Sequence, residues 1–149
     1  MKSEPSDIVV RAWTRLMRAQ QAALGEIQLA LKAADMPPLA WYDVMLELER
    51  AGDQGLRPFE LEKTMLLPQY GLSRLLDRIE AAGYVQRRPS DADGRGQLVT
   101  LTPAGRDLRQ KMWPVYSAAI DSTIGDRLSE DQAKTLGKLL GKLIRPSGE

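Results

Sequence analysis

Arg74 and Arg78 stand four residues apart with Gln69, Tyr70 and Ser73 beside them, so one helical face carries the donors and acceptors that read a nucleic-acid groove. The guanidinia can pair with guanine edges or phosphates, Gln69 with adenine, and Ser73 or Tyr70 with phosphates or bases. Leu72, Leu75, Leu76 and Ile79 recur at i, i+3, i+4 and i+7 on the other side, which seats the same helix on a core. Arg87, Arg88 and Arg95 follow in a stretch that reads as a two-stranded ribbon, and a guanidinium at its tip can enter a minor groove. From Gln69 to Arg106 there are six Arg and four acids, a local excess in a chain whose formal net charge is only +1. Overall charge gives no argument for a polyanionic partner; placement does.

Other chemistry is poorly served. The 149 residues include no Cys and no His, which removes thiol nucleophiles, disulfides, zinc clusters and the usual near-neutral general base. No nucleophile–base pair, phosphate loop or metal-ligand spacing is present, so neither an enzyme nor a cofactor or metal is expected. The opening residues, MKSEPSD, lack a secretory pattern, and no apolar run approaches the roughly 18 residues of a membrane span. A cytoplasmic protein without membrane contact is expected.

Ala, Leu, Arg, Gln and Glu at helical spacing, with only 5% aromatics, predict a mostly α fold. Trp13, Leu16, Met17, Leu24, Ile27 and Leu31 make Ile8 to Ala34 a long amphipathic helix that stops before Met36-Pro37-Pro38. A second helix is predicted over Leu39 to Ala51, with Trp41, Val44, Met45 and Leu48 inward. A short third follows from Pro58 to Leu66. After a corner at Pro68, the two-faced helix runs from Gln69 to Ala82 and closes at Gly83. Tyr84 to Arg88 and Gln97 to Leu101 are strands of a hairpin whose loop, Pro89 to Gly96, carries Arg95. Thr102 caps a long helix starting at Pro103 and running to about Gly125, with a bend expected at Pro114. Ser129 and Gln132 form a capping box for a last helix with Leu136, Leu139, Leu140 and Leu143 inward.

A short helix, a turn, a two-faced helix and a hairpin make a winged helix-turn-helix. Asp93-Gly94-Arg95-Gly96 followed by Leu101-Thr102-Pro103-Ala104-Gly105 resembles the wing signature of the MarR family of bacterial transcriptional regulators. Ser73 to Val85, SRLLDRIEAAGYV, resembles that family's recognition helix and first wing strand. The order of elements carries the resemblance from the first helix through Trp41-Tyr42-Asp43-Val44 to the two closing helices. It implies homodimers whose first and last helices interlock, winged lobes on pseudo-palindromic double-stranded DNA, and often a small aromatic acid that weakens binding. By position, it implies DNA contacts from Pro68, Gln69, Tyr70, Ser73, Arg74 and Arg78 on the helix and from Arg88 and Arg95 on the wing. Asp93 is expected to brace the loop or Arg95, since a carboxylate there would repel phosphate. Leu66-Leu67-Pro68-Gln69-Tyr70-Gly71 replaces the family's usual small Ser and Thr residues, which leaves the base preference open. The lack of cysteine excludes the family's thiol-based peroxide sensing, and the lack of histidine argues against its metal-sensing branch.

The expected organisation is a single chain, 1–149, with a winged-helix lobe over 39–101 and a helical dimerisation region over 8–34 and 103–145. The stripes of the first and last helices need a surface beyond the small lobe, which a second copy supplies. Taken singly, Arg74 and Arg78 read better as solvated surface residues; their place beside Arg95 in a winged arrangement turns the reading toward DNA contact. Trp13, Met17, Trp41, Tyr42, Trp113 and Tyr116 read first as core and second as the lining of an aromatic effector pocket, with ligand residues unassigned. The expected function is a dimeric DNA-binding regulator, a repressor released by a small aromatic or phenolic ligand. The competing reading is a winged-helix protein-interaction or architectural module.

Overall fold

The computed structural model describes residues 3–89 and 96–144. Six α-helices and one hairpin follow in order: α1 (Asp7–Ala33), α2 (Leu39–Ala51), α3 (Pro58–Thr64), α4 (Leu72–Ala81), β1 (Val85–Pro89), β2 (Gln97–Leu101), α5 (Pro103–Ile120) and α6 (Glu130–Gly141). The mostly α winged fold expected from the residues is the fold observed. The chain divides into two compact units, Leu31–Val115 and Met1–Ala30 together with Tyr116–Glu149. The predicted lobe, 39–101, lies within the first.

In the Leu31–Val115 unit the apolar faces of α2, α3 and α4 close on the hairpin. Val44, Leu48, Leu61, Met65, Leu72, Leu75, Leu76, Ile79, Val85 and Val99 form one buried cluster, with Trp41, Leu56 and Tyr84 packed against it. The four-residue stripe read from α4 is wholly buried there. β1 and β2 pair antiparallel in the register Val85↔Leu101 to Pro89↔Gln97. Leu56 adds a bridge to the far side of β2, its amide and carbonyl exchanging bonds with Val99 at 3.0 and 2.8 Å. Gly55 makes that approach possible: at φ 68 it tolerates the left-handed backbone, and a Cβ there would lie 2.5 Å from the Val99 carbonyl oxygen.

Thr102 caps α5 as expected, accepting from the Gly105 amide at 3.0 Å, and its hydroxyl donates to the Gly83 carbonyl at 2.7 Å. Gly105 is needed because any Cβ at that position would overlap the Tyr84 carbonyl. The Thr102-Pro103-Ala104-Gly105 run therefore locks the base of the wing to the start of α5. α5 continues through Pro114 and ends at Ile120, short of the predicted Gly125, because Asp121–Gly125 winds as a π-helical turn. Trp41 meets Tyr84 edge-on at 6.1 Å, while Trp113 stacks on the buried Tyr42 at 6.3 Å and stays half-exposed.

Within the other unit Glu26 accepts from Thr123 at 2.9 Å and from Arg127 at 2.8 Å. The Arg127 bond first, and then the Thr123 bond, hold its carboxyl below the usual carboxylate range. That contribution is present above the ordinary Glu pKa and fades as pH falls through the lowered one. Ser129 and Gln132 make the predicted capping box, amide to side chain in both directions at 3.0 and 3.1 Å. Of the residues on the predicted apolar stripes, Trp13 is exposed at 62%, as are Leu136, Leu139 and Leu143 toward the C-terminal end of the unit; Ile8, Val9 and Val10, outside the predicted stripe, are exposed in α1 as well. Among the described residues no helix is long and apolar enough to cross a membrane.

Candidate nucleic-acid interface

α4 begins at Leu72 and not at the predicted Gln69. Gly71 adopts φ 73, ψ 39, a left-handed conformation that stops the helix from extending backward, and the first helical bond runs from the Leu75 amide to the Gly71 carbonyl at 3.1 Å. Pro68, Gln69 and Tyr70 thus belong to the turn before the helix, with Ser73, Arg74 and Arg78 on α4 itself. Ser73, Arg74, Asp77 and Arg78 all face solvent, opposite the buried leucines.

The turn has an anchor that the residues did not announce. Asp43, buried on α2, accepts from the Leu66 amide at 2.7 Å and from the Leu67 amide at 3.3 Å. These bonds take the amides that would have continued α3, so α3 stops at Thr64, two residues before the predicted Leu66. Burial raises the Asp43 carboxyl above its usual value, against the lowering effect of the two amide bonds. Asp43→Ala leaves both amides without an acceptor and is expected to lower stability by about 1–3 kcal/mol. Asp43→Asn keeps an oxygen for both and should melt close to the wild type. Because the folded-state pKa is raised, the wild-type charge costs stability increasingly as pH climbs above the ordinary Asp range near ~4. Thermal melts of the three proteins across pH should therefore show Asp43→Asn gaining on the wild type as pH rises.

Arg87, counted with Arg88 and Arg95 among the cations of the hairpin but not among the DNA contacts, is committed inward. Its guanidinium ion-pairs with Asp77 and lies 3.1 Å from Glu80 Oε1, with Nε donating to the same oxygen at 3.2 Å. The Arg87 amide donates to Glu80 Oε2 at 2.9 Å, so one carboxylate holds both backbone and side chain of β1. Asp77 chiefly, and Glu80 after it, hold the guanidinium above its ordinary pKa. Both acids of α4 are thereby paired with the wing, the single charge of Arg87 offsetting one of the two. Among the described residues neither Arg74 nor Arg78 has an ion-pair partner, so the exposed face of α4 presents two unpaired cations. Arg88 is exposed and donates to the Asp53 carbonyl at 3.0 Å. Arg95 and Asp93 lie outside the described residues.

A second polar cluster lies on α2 and α5. Glu49 ion-pairs with Arg109 and, at 3.6 Å, with Arg106. Arg109 Nε is buried against Glu49 without hydrogen-bond geometry, and its terminal nitrogens reach Glu49 and the Tyr42 hydroxyl at 3.5 Å.

This arrangement of helix, turn and wing has known counterparts. Residues 34–96 match the family model described as the MarR family. An uncharacterized HTH-type transcriptional regulator of Bacillus cereus is 30% identical over 135 residues, covering 91% of this chain and 88% of that protein. Sco3205 of Streptomyces coelicolor, a MarR family transcriptional regulator solved in complex with DNA, superposes with a TM-score of 0.84 at 24% identity, covering 99% of this chain and 95% of that one. BpsR of Bordetella bronchiseptica, solved in a study of how 6-hydroxynicotinic acid regulates its DNA binding, matches at a TM-score of 0.79 and 25% identity over 94% of this chain and 97% of that one. With its residues, fold and relatives in agreement, the chain belongs to the MarR family of transcriptional regulators.

Proposed function

We propose that the protein is a homodimeric repressor that binds a pseudo-palindromic site in double-stranded DNA and releases it when a small aromatic or phenolic ligand binds. One observation carries the DNA reading: the exposed face of α4 bears Arg74 and Arg78 without ion-pair partners among the described residues, while its acids are held by Arg87. Arg74, Arg78 and Ser73 enter the major groove, Pro68, Gln69 and Tyr70 lead the helix in, and Arg88 and Arg95 follow the backbone and minor groove beside it. The exposed apolar residues Ile8, Val9, Val10 and Trp13 at one end of the chain and Leu139, Leu143 and Ile144 at the other support pairing with a second copy. A two-fold dimer sets its recognition helices roughly 34–36 Å apart, one turn of DNA.

The ligand reading rests on relatives' behaviour, exemplified by BpsR and 6-hydroxynicotinic acid, and on the stacked Tyr42–Trp113 pair with Arg109 against Tyr42. Stacked rings suit a flat aromatic ligand, and Arg109, already paired with Glu49, would meet an acid only by exchanging that partner. Such a ligand releases DNA by preferring the conformation that cannot span both half-sites. The test is fluorescence anisotropy on the DNA upstream of the protein's own coding sequence and on scrambled DNA, across a salt series. Sequence-dependent affinity whose logarithm falls with log salt by about 0.9 per phosphate contact is expected. Equal, weak binding to both DNAs, with no site recovered from a randomised pool, would overturn the reading in favour of a protein-interaction module.

A further inference from the structure

The turn that leads into α4 holds two large apolar groups in solvent. Leu66 is 70% exposed and Tyr70 is fully exposed, in a unit whose Met65, Leu72, Leu75 and Leu76 are all buried. Neither exposure is an accident of a loose chain. The Leu66 amide is bonded to the buried Asp43 carboxylate at 2.7 Å, and Tyr70 is followed at once by left-handed Gly71 and the first bond of α4. The backbone is pinned on both sides of the turn, so these side chains are displayed.

The turn is also uncharged. Residues 65–71, MLLPQYG, contain no Lys, Arg, Asp or Glu, so the segment has no cation for phosphate or for a guanine edge. What it offers is a primary amide at Gln69 and apolar surface at Leu66 and Tyr70. In a major groove those match one base pair: the amide suits the N6 and N7 of adenine, and apolar surface suits the 5-methyl group of thymine. One turn further on, Arg74 and Arg78 offer the opposite preference, for guanine.

Resting on the reading of α4 as a DNA-facing helix, we propose that Leu66 and Tyr70 are specificity-determining residues that recognise thymine by contact with its 5-methyl group. The half-site is then divided, with A·T pairs under the turn and G·C pairs under Arg74 and Arg78.

Replacing thymine by deoxyuridine tests this, because it removes the methyl and leaves the pairing groups unchanged. The full-length protein is first used to select its preferred duplex from a randomised pool, and each thymine is then exchanged singly. The expected result is a loss of roughly four-fold at one or two thymines per half-site, the value of one buried carbon. Leu66→Ala or Tyr70→Ala should bind the thymine and deoxyuridine duplexes equally at those positions, while Tyr70→Phe keeps the wild-type discrimination. Melting curves show whether each variant is folded, and Leu66→Met preserves apolar bulk should the alanine variant unfold. Indifference of the wild type to every deoxyuridine, or discrimination persisting in both alanine variants, overturns the proposal. If the selected duplex still depends on Arg74 in that case, the methyl inference alone has failed; if selection enriches no sequence, the DNA reading has failed with it.

Discussion

Arg74→Ala is expected to weaken binding to the preferred duplex by roughly 5- to 150-fold, the value of a bidentate contact to a base edge. It should leave the melting temperature almost unchanged, since Arg74 is exposed and has no ion-pair partner among the described residues. The pattern of loss matters as much as its size. A base-reading arginine loses discrimination at one position of the site, whereas a phosphate-bound arginine weakens all sequences alike and flattens the salt dependence by about one contact. Arg78, one helical turn on, is subject to the same measurement, and the pair separates direct readout from anchoring. Undiminished affinity in both variants would remove α4 from the interface.

Removing Arg87 should be nearly as damaging, though Arg87 is not among the proposed DNA contacts. In Arg87→Met the carboxylates of Asp77 and Glu80 lose their guanidinium, and two negative charges stand uncompensated on the recognition helix. Asp77 is also three residues from Arg74, so once released it can pair along the helix and withdraw that cation from DNA. Affinity is expected to fall about ten-fold or more, with a stability loss of about 1–3 kcal/mol from the charge-assisted bonds. A second variant separates the two effects. Arg87→Met combined with Asp77→Asn and Glu80→Gln should recover much of the affinity, although the tie between β1 and α4 stays broken. If affinity tracks the melting temperature and the neutralised variant recovers nothing, Arg87 acts on the fold alone.

The sequence displayed the parts of this molecule that repeat. Leu72, Leu75, Leu76 and Ile79 declared a helix with a buried face, and Thr102-Pro103 declared the start of another, because periodicity and caps are local signals. Boundaries set by distant residues were not visible. α3 ends where it does because Asp43, far back on α2, takes the amides of Leu66 and Leu67. α4 starts late because Gly71 uses a left-handed conformation that a glycine permits but does not require. The same limit applies to charge. Arg87 and Arg88 are neighbours of identical type, yet pleating sends one toward Glu80 on α4 and the other toward the Asp53 carbonyl. An arginine's count is legible in a sequence; its partner is a property of the fold.

The amide bond from Arg87 to Glu80 has a consequence for self-association. β2 is flanked on its outer side by Leu56, which leaves β1 as the open edge of the hairpin. Arg87 lies opposite Val99, whose own amide and carbonyl turn away toward Leu56, so the Arg87 amide points off that open edge. Glu80 occupies that amide, and Pro89, two residues along, has none to offer. A strand arriving from another molecule therefore meets no donor at either position and cannot extend the sheet there, which guards the wing against edge-to-edge aggregation.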